Sequence, residues 1–185
     1  KICPVSPFMS NEVRTLLNEL KPDVVKNTRT IAVVRCSYSW VIQTREWLPD
    51  AVGGVAYFSY DNPAQSPRIP IYAGIGQIHD AFQLCGQHTH TEDAAIWAYR
   101  QTNRLSTIDW NKTRNILETE IMSFEKKMFM LAPVVEGEAS RLINEGKVEE
   151  AEELLTRHTN DFASLTMQRW QELEEKLWMI FVRSM

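Results

Sequence analysis

The chain has 185 residues, of which 44% are hydrophobic and 24% are charged, and its formal net charge at pH 7 is −4. This composition is ordinary for a folded domain with a sizeable core, and it excludes a disordered chain and a strongly basic nucleic-acid-binding protein. No apolar run approaches the ~20 residues of a membrane span. The three cysteines, Cys3, Cys36 and Cys85, lack the spacing of a disulfide framework.

The chain opens with a predicted helix and a predicted strand. Ser10 or Asn11 is a suitable N-cap for a short helix over residues 11–20, whose apolar residues share one face. Residues 29–36 and 52–60 are nearly continuous runs of apolar, β-branched and aromatic residues. Such runs are typical of strands covered on both faces, so we predict two adjacent central strands of one sheet.

Two further elements complete this first part. Residues 37–50 space apolar side chains at helical intervals, which predicts a helix that ends at Pro49. Residues 69–74 predict a third, shorter strand. Residues 60–70, which we call the proline loop, contain Pro63, Pro67 and Pro70. Because proline fixes φ and cannot donate to a strand ladder, we expect this loop to be rigid.

The composition changes near Trp110, where a part rich in proline and glycine is followed by one rich in Glu, Lys, Leu and Met. Thr91 is the predicted N-cap of a helix before this point, and Asp109 is that of the next helix. The helix after Asp109 is predicted to end at Pro133, with a second leg up to Asn144.

Two more helices are predicted after a turn at Gly146, the last of them over residues 161–183. That last helix carries an apolar stripe formed by Phe162, Thr166, Trp170, Leu173, Leu177 and Ile180. The sequence therefore predicts an α+β fold in one structural unit, with a strand-and-loop-rich portion over residues 1–110 and a helical layer over residues 111–185.

Two candidate chemistries are disfavoured by the residues. Cys85, His88 and His90 lie close together, but a structural zinc site needs four ligands and no second cluster occurs, so we predict no metal and no cofactor. A cysteine nucleophile would be Cys36 or Cys85, with its base drawn from His79, His88, His90 or His158. Cys36 follows an apolar run and nothing marks Cys85 as activated, so we assign no catalytic residue in this chain.

Several motifs, each weak alone, follow one another in a specific order over about residues 28–130. In chain order they are Ser37, Ser39 and Gln43, then Leu48-Pro49, then Gly53-Gly54-Val55 with Tyr57 and Phe58, then Pro70 to Gly74. This order resembles the C-terminal part of the bacterial cysteine dipeptidases typified by dipeptidase A. The final helix is also similar to the C-terminal end of that family.

The resemblance implies an N-terminal nucleophile hydrolase with a four-layer αββα core, to which this chain supplies closing strands and a helical layer. In that family the thiolate of a mature N-terminal cysteine attacks the dipeptide carbonyl, and its own α-amine serves as base. Cys3 is not terminal and lacks the family's surroundings. We therefore expect the nucleophile upstream of Lys1, this chain alone to be inactive, and its partners to be the upstream portion of the same polypeptide and a dipeptide.

Ser37, Ser39, Gln43 and Asn62 are candidates for an active-site wall, with turn and cap hydrogen bonding as the alternative. A function of a different class is a helical interaction module that docks a partner through its Trp-rich C-terminal helices. The compartment, cytoplasmic or exported in a bacterium, and the oligomeric state are left open by the sequence.

Overall fold

The structure, a computed structural model, describes residues 9–25, 32–86 and 88–182. Its elements in chain order are α1 Asn11–Leu20, β1 Tyr38–Thr44, α2 Asp50–Gly53, β2 Gly54–Tyr60, β3 Ile69–Tyr72, α3 Asp80–Gln83, α4 Ala95–Ser106, α5 Trp110–Asn144 and α6 Val148–Val182. The chain therefore has an α+β fold, as predicted, with one small sheet and a helical layer.

Helix α1 forms where it is predicted, and Ser10 is its N-cap, since the Ser10 Oγ accepts a hydrogen bond from the Val13 N–H at 3.2 Å. None of its residues is buried, and Val13, Leu16 and Leu20 are exposed. Its apolar face is therefore not covered by the described residues.

The sheet is antiparallel and has the order β1-β2-β3. Strand β1 pairs along its whole length with β2, from Tyr38 opposite Tyr60 to Thr44 opposite Gly54. Strands β2 and β3 lie within two of the three predicted runs. Gly53 precedes β2 at a close approach, because a Cβ there would lie 2.6 Å from the Arg45 carbonyl oxygen.

The prediction for the segment before β2 is wrong. Residues 32–36, the described part of the predicted strand 29–36, form turns and irregular backbone, and residues 29–31 lie outside the described residues. The strand is instead Tyr38–Thr44, within the predicted helix 37–50. Its aromatic and β-branched residues find cross-strand partners on β2, and such pairs decide where a strand forms.

Three helices, α4, α5 and α6, differ from the prediction. Thr91 accepts from the Asp93 N–H in the preceding turn, and α4 begins after Ala94 without a side-chain cap. Helix α5 begins at its predicted cap, Asp109, but continues through Pro133. After the turn at Gly146, whose φ is +81°, α6 is one continuous helix where two were predicted. Packing between α5 and α6 on both sides of Pro133 supports this continuity.

Part of the core lies between one face of the sheet and the helices. Val55 and Tyr72 share that face and pack against Leu142 of α5 and Leu155 of α6. A larger cluster joins the sheet to α4, α5 and α6 through Ile69, Tyr99, Phe124, Phe162 and Trp170.

The apolar stripe of the last predicted helix is used inside this chain. Phe162, Trp170 and Leu177 are 3%, 0% and 0% exposed, and they contact residues of α4 and α5. Trp178, by contrast, is 51% exposed. The structure therefore does not support the prediction that this stripe docks a partner.

Candidate functional site

The four candidate wall residues lie in two places. Ser37 and Asn62 are near each other in the fold, because the Asp61 N–H next to Asn62 donates to the Ser37 carbonyl at 2.8 Å. Ser39 follows on β1, half-buried opposite Ser59. Gln43 lies near the other end of β1, six residues after Ser37. At the rise per residue of a strand, about 20 Å separate the two residues. The four residues do not form one compact site.

Asn62 is buried, and its side chain forms hydrogen bonds within the proline loop. Its Nδ2 donates to the Gln65 Oε1 at 2.6 Å, and its Oδ1 accepts from the Ala64 N–H at 3.1 Å. These are the turn-forming bonds expected of an Asn before a proline.

Gln43 lies beside a polar cluster on the helix-covered face of the sheet. Its Oε1 accepts from the Tyr57 hydroxyl at 3.2 Å. Next to it, the Arg45 Nη1 donates to the Glu136 Oε2 at 2.7 Å, and the Tyr72 hydroxyl donates to the Glu136 Oε1 at 3.0 Å. Burial raises the pKa of Tyr72, and the Glu136 charge adds to the effect, so the phenol stays protonated and continues to donate.

A second polar cluster, the Asp61 cluster, consists of Asp61, Arg100, Asn103 and Arg104. Asp61 is fully buried and has a left-handed φ of +55°. Its Oδ1 accepts from the Arg100 Nε at 3.1 Å, and its Oδ2 accepts from the Asn103 Nδ2 at 3.1 Å. The Arg104 Nη2 lies 3.8 Å from the Oδ1 and donates to the Val34 carbonyl. The cluster thus ties the segment before β1 to the proline loop and to α4.

Further buried hydrogen bonds connect the Asp61 cluster to the core. The Gln65 Nε2 donates to the Asn103 carbonyl at 3.1 Å and to the Ser106 Oγ at 2.6 Å. The Trp170 Nε1 donates to the Gln65 carbonyl and to the Asn103 Oδ1, each at 3.2 Å. The proline loop is therefore held by side chains of α4 and α6 as well as by its prolines.

Sequence reasoning missed the Asp61 cluster. Asp61 comes just before Asn62-Pro63, a position typical of an ordinary turn residue. The positions of Arg100 and Arg104 are typical of the polar face of a helix. The spacing of Arg100, Asn103 and Arg104 at three to four residues, which puts them on one helix face, was the available signal.

The cysteines and histidines form no metal-binding group in the described part of the chain. Cys36 is half-buried and Cys85 is exposed, and both are free thiols, while Cys3 lies outside the described residues. The His79 Nδ1 accepts from the Ala81 N–H and caps α3. Among residues 9–25, 32–86 and 88–182, no three His, Cys, Asp or Glu side chains are placed to hold a metal ion.

The sheet face opposite to Val55 and Tyr72 is uncovered at strand β1. We call Tyr38, Trp40, Ile42, Ala56 and Phe58, which share this face, the open sheet face. Tyr38 stacks on Phe58 with ring centroids 6.0 Å apart, and Trp40 meets Tyr38 edge-on at 6.3 Å. Toward β3 and the end of β2 this side becomes covered, since Ile69, opposite Phe58, is 0% exposed in the core and Tyr60 contacts Phe82 and Tyr99.

The fold and these clusters define an α+β chain in which helices pack against a small antiparallel sheet and bury strand β3 on both faces. No helix that the structure describes has both the length and the apolar character needed to cross a membrane. The model of peptidase family C69 matches residues 12–122, which is more than half of the 185-residue chain. The chain belongs to this family of peptide hydrolases, and the resemblance to dipeptidase A is confirmed. No curated protein matches the chain.

Proposed function

We propose that this chain is the C-terminal portion of a cysteine peptidase that hydrolyses dipeptides. The observation that carries the proposal is the match to peptidase family C69 over residues 12–122. In this proposal the nucleophile is a mature N-terminal cysteine upstream of Lys1. Its α-amine takes the proton from the thiol, and the resulting thiolate attacks the dipeptide carbonyl. The protonated amine then gives that proton to the departing C-terminal amino acid, and water hydrolyses the acyl-enzyme to release the other amino acid.

We propose that the complete fold is the αββα sandwich of N-terminal nucleophile hydrolases, in which residues 1–110 and 111–185 belong to one structural unit. Helices α5 and α6 cover one sheet face at Val55 and Tyr72. The open sheet face on the other side carries exposed Trp40 and Ile42. One half of such a sandwich has a helix layer on one side of its sheet and an apolar side that the other sheet covers in the complete fold.

In the same proposal, Ser37 and Ser39 contribute to the active-site wall, and the Asp61 cluster positions them. The Asp61 N–H holds the Ser37 carbonyl, and the Arg104 guanidinium holds the Val34 carbonyl three residues earlier. The segment that leads into β1 is therefore fixed on both sides. Gln43 and Asn62 are wall candidates of lower rank, because their amides are already engaged by Tyr57 and Gln65.

The test is an assay of amino-acid release from a panel of unprotected dipeptides, run on this chain and on the longer polypeptide. We expect turnover by the longer polypeptide, its loss when the mature N-terminal cysteine is changed to alanine, and background rates for this chain. Turnover by this chain that Cys36→Ala or Cys85→Ala abolishes would contradict the proposed nucleophile. If the longer polypeptide hydrolyses no dipeptide of the panel, the proposed substrate class is wrong.

A further inference from the structure

Helices α4 and α6 lie side by side and leave an open groove between them. Trp97, Leu105 and Ile108 on the α4 side line this α4–α6 groove together with Trp178 of α6, and its volume is about 450 Å³. That volume falls within the range of about 300–1,000 Å³ that is usual for small-molecule sites.

Two indole rings bound the apolar part of the groove. Leu105 is 8% exposed and packs with Leu177, which places Trp178 beside the C-terminal end of α4. Trp97 lies eight residues before Leu105, about 12 Å along the helix. Trp178 and Ile108 are 51% and 66% exposed, so an apolar group of a ligand has surface to cover here. Because indoles provide large apolar contact areas, this part of the groove is suited to an aliphatic or aromatic side chain.

The α4 side of the groove also carries positive charge. Arg100 and Arg104 line it, and both belong to the Asp61 cluster, in which one carboxylate faces two guanidinium groups. Within the described part of the chain, Arg100 donates hydrogen bonds only through its Nε, to Asp61. Arg104 donates there only through its Nη2, to the Val34 carbonyl. Since a guanidinium has five N–H donors, both arginines keep donors for a carboxylate.

One of these guanidinium groups is held in place before any ligand binds. The Arg100 guanidinium carbon lies 5.8 Å from the centre of the Trp97 ring, a distance that fits a cation–π contact. The Trp97 Nε1 in turn donates to the Gly86 carbonyl at 2.8 Å. An ordered side chain loses little conformational freedom when it binds a ligand, so this arrangement favours binding.

The α6 side of the groove carries negative charge. Glu174 lines the groove, and its Oε1 accepts from the Trp178 Nε1 at 3.4 Å. Glu174 forms no ion pair with any residue among 9–25, 32–86 and 88–182, so its carboxylate can still accept from an ammonium group. The groove thus combines a cationic side, an anionic side and apolar surface.

We infer that the α4–α6 groove binds a zwitterion with an apolar side chain, which is the chemistry shared by free amino acids and dipeptides. Arg100 and Arg104 bind its carboxylate, Glu174 binds its ammonium, and its side chain packs between the two indoles. The inference goes beyond the proposed function, which gives the two arginines only the task of positioning the segment before β1. None of the four wall candidates lines the groove.

Charge disfavours other classes of ligand. A fully apolar ligand would cover the guanidinium groups of Arg100 and Arg104 without giving them hydrogen-bond partners. An anion without an ammonium group, such as inorganic phosphate, would bring its charge close to Glu174. A zwitterion avoids both penalties because it matches each side of the groove.

The experiment is a titration of this chain with L-leucine, followed through the NMR signals of the indole N–H groups. We expect the signals of Trp97 and Trp178 to shift together, with one Kd below about 10 mM. Trp40 and Trp47, which are 61% and 74% exposed and lie outside the groove, are the matched controls and should stay unshifted. No shift at Trp97 and Trp178, or equal shifts at all four indoles, would overturn the inference.

Analogues of leucine test the parts of the ligand separately. Leucinamide lacks the carboxylate, N-acetyl-leucine lacks the ammonium and glycine lacks the side chain, and each should bind at least about fivefold more weakly. If any of them binds as tightly as leucine, the inference is wrong, because the groove then does not recognise the missing group. Leucyl-leucine separates the two sources of the ligand: tighter binding than leucine identifies a dipeptide, and weaker binding identifies a free amino acid.

A pair of variants tests the groove itself. Glu174→Gln should weaken leucine binding at least about threefold and leave the binding of N-acetyl-leucine unchanged, since only leucine has the ammonium. Glu175→Gln, at the exposed neighbouring residue, is the matched control and should change neither. Equal binding of leucine by the two variants would contradict the inference. Leucine binding by this chain without hydrolysis by the longer polypeptide would contradict only the proposed function, and hydrolysis without leucine binding only this inference.

Discussion

The two outer strands of the sheet have similar apolar residues and opposite surroundings. Ile69 and Tyr72 of β3 are 0% and 2% exposed, because α6 packs across this strand and the Thr159 hydroxyl donates to the Pro70 carbonyl. Trp40 and Ile42 of β1 are 61% and 58% exposed. The β3 side is thus part of the stable core of this chain, whereas the β1 side has surface left for an interaction. Four predictions test this comparison, in order of decreasing effect.

The largest effect is expected at Trp170, on the covered side. Trp170→Ala should lower the free energy of unfolding by about 4 kcal/mol, since it leaves a large cavity and removes the donor to Gln65 and Asn103. Urea unfolding of this chain measures the change. Trp178→Ala, at an exposed site on the same helix, is the control and should stay within about 0.5 kcal/mol. Equal effects at both sites would break the comparison.

The next effect concerns the Asp61 cluster, which joins the covered side to the start of β1. Asp61→Ala should cost about 3 kcal/mol, because it leaves the Arg100 guanidinium without its buried partner and puts alanine at a left-handed φ. Asp61→Asn should cost less, because asparagine tolerates this backbone and keeps one acceptor. Urea unfolding at one pH compares the two. Equal costs would show that the loss of the carboxylate charge, which both variants share, accounts for the effect, and that the backbone conformation and the remaining acceptor contribute little.

A smaller, pH-dependent effect is expected at His158, which lies beside Tyr72 of β3. Burial lowers the pKa of His158, while the charges of Asp161 and Glu136 partly oppose this. The unfolded chain, with a His pKa of about 6.5, therefore binds the proton first as pH falls. Stability should decline from about pH 7 until the folded pKa is passed, by at most about 1.4 kcal/mol per pH unit.

His158→Gln should remove this contribution, and unfolding curves between pH 7.5 and 5 would show it as a flatter profile. His90→Gln, at an exposed histidine of the chain, is the matched control. If the His158 variant keeps the full slope, another group is responsible for it.

The smallest effect is expected on the open side. Trp40→Ser should change the free energy of unfolding of this chain by no more than about 0.5 kcal/mol, because its exposed side chain makes few contacts here. Urea unfolding measures it beside Trp170→Ala. A cost above about 2 kcal/mol would mean that Trp40 is buried in solution, for example by another copy.

Local features of the sequence predicted much of the fold. Ser10 and Asp109 cap helices as expected, and Gly146 makes the turn between α5 and α6. Each of these signals acts within a few residues along the chain, so the sequence displays it directly. β1 was missed because residues 37–50 fit helical and alternating spacing alike, and only the pairing with β2 selects the strand.

The candidate site was predictable only in part. Ser37, Ser39, Gln43 and Asn62 were chosen as polar residues near strand ends, and their role in a wall stays a proposal. Their division between two ends of β1 depends on where the strand lies, which the sequence did not reveal. The partners of Asp61 lie 39 and 42 residues away along the chain, beyond the reach of any local pattern.

By itself the sequence determined the α+β class, the positions of most helices and the membership of peptidase family C69. The tertiary structure alone decided which apolar residues are covered. Trp170 belongs to the apolar stripe of a helix and Trp40 to an aromatic and β-branched strand, yet one is 0% and the other 61% exposed. The physical reason is that burial depends on elements distant in sequence, here α4 and α5 against α6, and no such element lies over β1 in the described residues.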